Sequence, residues 1–179
     1  AEEAERPRLA TEAVENARQA LATYDPKRDP VVWAGAQRRL GLALHEQADL
    51  LDGTARAEAL EGAHDAFRAA LDATYGSDLL RDRAYLKRNL ADSLRLRWRD
   101  GDDAEATARL LDASEHYRSA LDVFSEVDFP ENFATIQARL SLTLQRLADM
   151  AEDGAEEAGH RDGAEEAARA ALRVWMEDA

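Results

Sequence analysis

The chain has 179 residues and no cysteine, so neither disulfide bonds nor thiolate chemistry are available to it. Hydrophobic residues make up 45% and charged residues 34%, the balance expected of water-soluble helices, and no apolar run approaches the roughly 20 residues that span a bilayer. A net charge of -14 disfavours nucleic acid and anionic membrane as partners, because both carry the same sign of charge.

The first ten residues lack the basic and apolar regions of a secretory signal, so we expect a cytoplasmic protein. Apolar positions then recur at spacings of three and four, as on one face of an α-helix, and clusters of Gly, Pro and Asp interrupt the pattern. Pro30 and Pro130 stand where helices should begin, and Asp102 and Glu105 have capping-box spacing. The pattern predicts seven helices, near residues 8–24, 30–51, 55–75, 79–99, 103–125, 130–151 and 162–177.

The chain repeats itself at an interval of about fifty residues. Each copy has two helical segments, and a lone hairpin cannot cover the apolar face that each segment presents. We therefore expect a single domain over 1–179 in which the copies stack, with copies near 13–62, 63–112 and 113–162 and a partial copy at 163–179. A generic helical bundle is the alternative. The matching positions include Leu40, Leu90 and Leu140; Leu44, Leu94 and Leu144; Ala63 and Ala113; Phe67 and Tyr117; and Ala70 and Ala120.

These matching residues resemble the tetratricopeptide repeat. The segments "LGLAL" (40–44), "LADSL" (90–94) and "LSLTL" (140–144) are similar to its first helix, and the Ala, aromatic, Ala series is similar to its second. The period departs from the family, whose repeat has about 34 residues. The resemblance implies an all-α fold, a right-handed α-solenoid of antiparallel helical hairpins.

Both ends of the chain read as second helices of a hairpin. We expect either a fragment of a longer protein or a module that assembles end to end, since solenoids normally need polar caps. Trp175, near the last residues, either covers a neighbouring molecule or folds back onto its own repeat.

Motifs of catalysis and metal binding are missing from the sequence. It has no Ser/His/Asp arrangement, phosphate-binding Gly loop or calcium loop, so we expect no enzyme, no cofactor and no metal. Glu61 with His64 and Glu157 with His160 have the spacing of di-iron ligands, but they lie two repeats apart. His160 also falls in a predicted turn between Gly159 and Gly163. We interpret both pairs as surface residues.

The fourth predicted helix carries a concentration of positive charge. Residues 79–99 contain seven basic residues and two aspartates, which leaves a charge of -19 for the rest of the chain. The family's first helices line a concave groove, so the resemblance implies a peptide-binding surface. Its residues are Arg38, Arg39, Leu42, His45, Tyr85, Arg88, Asn89, Asp92, Arg95, Arg139, Leu142 and Gln145. The alternative is that these arginines balance the acidic helices beside them.

Arginine suits carboxylates because its planar group donates two parallel hydrogen bonds. The leading hypothesis is a non-catalytic scaffold that binds an acidic or carboxylate-containing peptide or protein segment, as the sensor or adaptor part of a larger bacterial regulator. The bacterial origin is inferred from the Ala-, Arg- and Asp-rich composition. The second hypothesis is a homo-oligomerisation module that acts through its terminal helices.

Overall fold

The structure, a computed structural model, describes residues 2–97 and 103–177. Those residues form seven α-helices and no strand, which confirms the all-helical class and the helix count for this part of the chain. The helices are α1 (Glu2–Leu21), α2 (Pro30–Ala48), α3 (Gly53–Ala73), α4 (Leu80–Leu96), α5 (Asp103–Leu121), α6 (Pro130–Met150) and α7 (Gly154–Glu177).

The chain divides into two compact units. Unit 1 covers Ala1–Leu79 and contains α1, α2 and α3, with α2 packed against both of its neighbours. Unit 2 covers Leu80–Ala179, and in it each helix from α4 to α7 packs against the next, while α4 also touches α6. The single-domain organisation stays a prediction.

Prolines mark two helix starts as the sequence predicts. Pro30 and Pro130 lie in the first turns of α2 and α6, where a missing N–H leaves no bond unmade. Asp102 of the predicted capping box lies outside the described residues.

The predicted start of the last helix is wrong. The carboxylate of Asp153 accepts hydrogen bonds from the backbone N–H groups of Ala155, at 2.6 Å, and Glu156, at 3.3 Å. Because this cap satisfies the first turn, α7 begins at Gly154 rather than 162, and His160 lies inside a helix rather than in a turn. The first helix also begins earlier than predicted, at Glu2, with Pro7 inside it.

In unit 1, α2 and α3 run antiparallel and approach closely. A Cβ atom added at Gly41 would lie 2.5 Å from a ring carbon of Phe67, and one added at Gly62 would lie 3.2 Å from Leu44. A later residue of α2 thus contacts an earlier residue of α3, as expected for antiparallel helices. His45 meets the Phe67 ring edge to face, with centroids 5.2 Å apart.

In unit 2, one core runs through all four helices. Leu110, Tyr117 and Phe124 from the α5 segment pack with Ile136 and Leu140 of α6, and further members come from α4 and α7. Phe124 is held between two other rings, with its centroid 4.7 Å from that of Tyr85 and 5.4 Å from that of Phe129. These aromatic contacts fix the chain between α5 and α6 against the start of α4.

Burial follows the fifty-residue interval that the sequence predicts. Most buried positions of α2 recur in α4 and α6, and most of those of α3 recur in α5. Leu40 departs from the pattern because it is only half-buried where Leu90 and Leu140 are buried, and Ala59 and Ala66 are buried where the matching residues of α5 are only partly buried. The recurring buried sets include Ala34, Ala84 and Ala134; Ala36, Leu86 and Ile136; Leu44, Leu94 and Leu144; Ala63 and Ala113; and Phe67 and Tyr117.

Candidate functional site

The structure brings six of the twelve predicted groove residues together in unit 2. Tyr85, Arg88, Asn89, Asp92 and Arg95 lie on α4, and Arg139 lies on α6. Two residues that the sequence hypothesis did not include, Tyr117 of α5 and Asn132 of α6, complete the group through hydrogen bonds. We call these eight residues the α4–α6 polar cluster. The other six predicted residues lie outside the cluster: Arg38, Arg39, Leu42 and His45 are on α2 in unit 1, and Leu142 and Gln145 are on α6.

A buried carboxylate joins the three helices of the cluster. Asp92 is 7% exposed and accepts a hydrogen bond from the hydroxyl of Tyr117 at 2.5 Å. Nη1 of Arg139 donates to its second oxygen, Oδ2. Arg95 approaches from the next turn of α4, with Nη2 4.0 Å from Oδ1, and its Nε donates to the Tyr117 hydroxyl at 3.2 Å. The negative charge of Asp92 is thus matched within the protein.

The phenol of Tyr117 keeps its proton in this setting. Burial raises the pKa of Tyr117 above its usual value, and the neighbouring charge of Asp92 raises it further because that charge opposes a second anion. Arg95 acts in the opposite direction on the same pKa. Tyr117 is therefore the donor of its hydrogen bond to Asp92.

Arg88 differs from Arg95 and Arg139 because those two form ion pairs with Asp92, whereas the hydrogen bonds of Arg88 go to neutral amides. Nε and Nη2 donate to Oδ1 of Asn89 at 3.3 and 3.1 Å, and Nη1 donates to Oδ1 of Asn132 at 3.3 Å. The guanidinium also lies over the ring of Tyr85, 5.0 Å from its centroid. These contacts use three of the five N–H groups and leave one on each Nη atom for a ligand.

The environment of Arg88 strengthens its interaction with an anion. Burial lowers the pKa of Arg88, and the nearby positive charge of Arg139 lowers it further, while Asp92 opposes both effects. Arginine nonetheless stays protonated in proteins. The result is a half-buried cation in a fixed orientation, and desolvated charges attract an opposite charge more strongly than hydrated ones do.

The cluster carries more positive than negative charge. Three arginines surround one aspartate, so the described residues of the cluster have a net charge of two positive units while the whole chain has -14. Amide oxygens hold Arg88, the Tyr117 hydroxyl holds Arg95 and the carboxylate of Asp92 holds Arg139. Such an arrangement has the charge and the N–H groups to hold a carboxylate.

Two hollows elsewhere on unit 2 lack the net positive charge of the polar cluster. A hollow of about 790 Å³ lies among α5, α6 and α7, where Asp103, Glu152 and Glu156 contribute carboxylates around Leu111 and Met150. A second hollow, of about 340 Å³, is lined by Arg118 and Arg173 but also by Glu166. Arg173 is already within 3.4 Å of Glu126. The α4–α6 polar cluster is therefore the better anion-binding candidate.

The two Glu-x-x-His pairs lie in different units. Glu61 and His64 are on α3, and Glu157 and His160 are on α7, where Glu157 lies 2.7 Å from a guanidinium nitrogen of Arg161. Across the part of the chain that the structure describes, no three His, Asp or Glu side chains group as metal ligands.

Sequence reasoning identified the cluster residues that lie on first helices and missed the two partners. Tyr117 matches Phe67 of the preceding copy, so its repeat position predicts a core aromatic residue. Because phenylalanine has no hydroxyl, the match gives no indication that the Tyr117 hydroxyl bonds to Asp92. Asn132 follows Pro130 in the first turn of α6. The only sequence signal for Asn132 is that it is an amide where the other copies have Val32 and Asp82.

Over the described residues, no helix combines the length and apolarity required to cross a membrane. Comparison of the chain with protein-family models, with curated proteins and with solved structures gives no match.

Proposed function

We propose that the protein is a cytoplasmic, non-catalytic scaffold of helical repeats that binds an acidic or carboxylate-ended peptide segment at the α4–α6 polar cluster. The repeats would stack as a right-handed solenoid like that of tetratricopeptide repeats. The recurrence of buried positions every fifty residues supports this stacking, because each copy then presents the same surface to the next.

The binding proposal depends on one observation, the arrangement of Arg88. Its guanidinium is held by Asn89, Asn132 and Tyr85, which carry no charge, so its own charge remains for a ligand. A carboxylate that reaches the remaining N–H groups would make charge-assisted hydrogen bonds, which are roughly twice as strong as neutral ones. The side chain is also already ordered, which lowers the entropic cost of binding.

Fluorescence anisotropy tests this proposal with a labelled peptide of alternating Glu and Ser. We expect the unmodified protein to bind the peptide and Arg88→Ala to bind it about tenfold more weakly, or worse, as the loss of a charge-assisted contact predicts. Arg169→Ala is the matched control, because Arg169 is exposed on α7 and pairs with Glu165. Equal affinities of the unmodified protein and Arg88→Ala would contradict the proposal.

Two forms of the peptide identify the source of the carboxylate. An amidated C-terminus leaves only side-chain carboxylates, whereas a peptide of Ser and Gly with a free C-terminus leaves only the terminal one. We expect at least one form to bind in an Arg88-dependent way. The form that binds tells whether the surface recognises internal acidic residues or a chain end.

A second candidate function, self-association, is favoured by the outer face of α7. Leu172, Trp175 and Met176 are 51%, 48% and 76% exposed, and their spacing of three and four places them on one side of the helix. Contiguous apolar surface of this kind is common at contacts between proteins. Sedimentation over a range of concentrations tests the idea. The idea would be excluded if the mass stayed monomeric at every concentration. It would also be excluded if the mass rose with concentration equally in Trp175→Ser.

A further inference from the structure

We propose that the larger hollow on unit 2 binds an organic cation with an apolar body, a ligand whose charge is opposite to that of the peptide in the proposed function. The hollow has a volume of about 790 Å³ and lies among α5, α6 and α7. Its lining residues are all different from those of the α4–α6 polar cluster. We call it the acidic hollow.

Three helices supply the walls of the acidic hollow. Asp103 and Leu111 of α5 lie eight residues apart, a little over two turns, so they share one side of that helix. Glu156 and Gly159 line the hollow from α7, and Met150 lines it from the end of α6. The start of α5, the end of α6 and the start of α7 therefore meet at this place.

Space in the acidic hollow is left by small residues. A Cβ atom added at Gly159 would meet nothing within 4 Å, so this part of α7 has room for the atoms of a ligand. Ala104 and Ala151 are further lining residues with short side chains. The volume falls in the range of roughly 300–1,000 Å³ that is usual for small-molecule sites.

The floor of the acidic hollow is apolar at two positions where earlier copies are polar. Leu111 is 42% exposed, and the residue fifty positions before it is Glu61. Leu147 is buried, and the matching residues of the earlier copies are Gln47 and Arg97. Because the repeat does not require leucine at either position, this apolar floor is specific to the copy that contains the hollow.

Carboxylates surround the apolar floor. Asp103, Glu152 and Glu156 line the hollow with exposed side chains, and its described lining contains no lysine or arginine. The other polar side chains in the lining are those of Thr107 and His160. The hollow therefore attracts cations, as does the whole chain with its charge of -14.

The three carboxylates of the hollow are not used by the protein itself. One arginine on each of the three helices pairs instead with a carboxylate outside the hollow. These pairs are Arg109 with Glu105 at 3.1 Å, Arg146 with Asp149 at 3.9 Å and Arg161 with Glu157 at 2.7 Å. Asp103, Glu152 and Glu156 form no ion pair with any residue that the structure describes. Their charge remains for a ligand.

Capping of α7 does not account for these acidic residues either. The backbone N–H groups of Ala155 and Glu156 are bonded to the carboxylate of Asp153, which lies outside the lining of the hollow. The side chains of Glu152 and Glu156 are thus left to face the hollow.

Helix geometry sets the form of the ligand. The eight residues from Asp103 to Leu111 correspond to about 12 Å, since an α-helix rises about 1.5 Å per residue. A ligand that fits has a cationic head for the carboxylates at the start of α5 and an apolar body that extends along α5 to Leu111. Burial of that body is favourable, at about 25 cal/mol per Å². The amine 4-phenylbutylammonium has this form.

Four probes test the proposal by isothermal titration calorimetry with the full chain. They are 4-phenylbutylammonium, 4-phenylbutanol, 4-phenylbutyrate and butylammonium, so that head charge and apolar body vary separately. We expect 4-phenylbutylammonium to bind about tenfold more tightly than each of the other three, because only this probe combines a charge-assisted contact with apolar burial.

A substitution that fills the hollow locates the binding. Gly159→Leu should weaken 4-phenylbutylammonium about tenfold or more, because its side chain enters the space that the ligand needs. The helix should remain folded, since leucine has a higher helix propensity than glycine, and circular dichroism checks this. Gly35→Leu on α2 is the matched control, because a Cβ atom there also meets nothing within 4 Å, and it should keep the affinity.

A second substitution changes charge without changing size. Glu156→Gln should weaken 4-phenylbutylammonium about threefold and leave the affinity for 4-phenylbutanol unchanged, as loss of one of three carboxylates predicts. Glu165→Gln, which removes an exposed carboxylate from the same helix outside the hollow, is the control and should have no effect.

Three results would overturn the inference. The first is that no probe binds, and the second is that butylammonium or 4-phenylbutanol binds as tightly as 4-phenylbutylammonium, since charge alone or apolarity alone would then suffice. The third is full affinity in Gly159→Leu, which would place the binding elsewhere. Each leaves the proposed function intact, because peptide binding at Arg88 involves other residues.

Discussion

At the scale of single residues, Tyr117 joins the core of unit 2 to its polar cluster. Its ring is fully buried among the apolar residues of α5 and α6, while its hydroxyl donates to Asp92 and accepts from Arg95. A buried carboxylate that loses a donor retains the cost of its desolvation, so the hydroxyl contributes more than an average hydrogen bond. Tyr117 therefore determines how well Asp92 tolerates burial.

Tyr117→Phe should lower the free energy of unfolding by about 1–3 kcal/mol, because the substitution leaves a buried acceptor without its donor. Urea denaturation followed by circular dichroism measures the change. Tyr24→Phe is the control, since Tyr24 is 39% exposed in the segment between α1 and α2, and it should have little effect. An unchanged midpoint in Tyr117→Phe would mean that Asp92 draws its stabilisation from the arginines alone.

His116 makes stability depend on pH. Burial lowers the pKa of His116 in the folded protein, with Lys87 acting in the same direction and Asp112 opposing. Below the ordinary histidine pKa of about 6.5, the unfolded chain therefore binds more protons than the folded one. The folded protein loses stability as the pH falls from that value through the lower pKa of folded His116. Unfolding free energies at acid and neutral pH should differ less in His116→Gln than in the unmodified protein. An equal difference in both proteins would contradict this assignment.

The residues of the cluster show how far sequence reasoning reaches at this scale. Arg88 and Asn89 were predicted as groove residues because the family resemblance implies a groove along the repeated first helices on which they lie. The hydrogen bond from Arg88 to Asn132 was not predicted, because it joins residues more than forty positions apart. Neither composition nor periodicity contains the side-chain orientations that decide such contacts.

At the scale of helices, small residues control how closely neighbours approach. Gly41 of α2 faces the ring of Phe67, with no room for a Cβ atom, whereas a Cβ atom at Gly35 in the same helix would meet nothing within 4 Å. The two glycines thus have different reasons to be there. One permits close packing of α2 on α3, and the other only adds freedom to the unfolded chain.

The two glycines should respond to alanine in opposite directions. Gly41→Ala should destabilise the protein by about 1–3 kcal/mol, the range for overpacked cores, because the ring of Phe67 must move. Gly35→Ala should stabilise it by about 0.5–1 kcal/mol, because alanine loses less entropy in a helix. Thermal unfolding of the two variants side by side measures both effects. A stabilised Gly41→Ala would show that the approach of α2 and α3 is not limited by this contact.

Helix starts were predictable where proline fixed them and less so elsewhere. Pro30 and Pro130 mark the starts of α2 and α6 at the expected residues. The start of α7 was misplaced because Gly154, Gly159 and Gly163 look like a long turn in the sequence. A Cβ atom at Gly163 would lie 3.2 Å from Leu144, so this glycine serves packing within a helix rather than a break in the chain.

At the scale of the whole molecule, copies that look alike in sequence differ in burial. Leu40, Leu90 and Leu140 share one repeat position, yet only Leu90 and Leu140 are buried. The fifty-residue interval therefore predicts which residues correspond, but it does not predict how deeply each of them is buried. Periodicity contains no information on the division into two compact units.

Leu90→Ala should cost about 2–5 kcal/mol of unfolding free energy, as buried leucines do, and Leu40→Ala should cost less because part of its side chain already meets water. Urea denaturation of both variants checks the order. Equal losses of unfolding free energy at the two positions would show that Leu40 is as deeply buried in solution as Leu90.

Asp92 receives bonds from α5 and α6 while it belongs to α4, so one carboxylate acts as a non-covalent cross-link of three consecutive helices. Loss of that carboxylate would unfasten both neighbours of α4 at once, because Tyr117 and Arg139 share it as their acceptor.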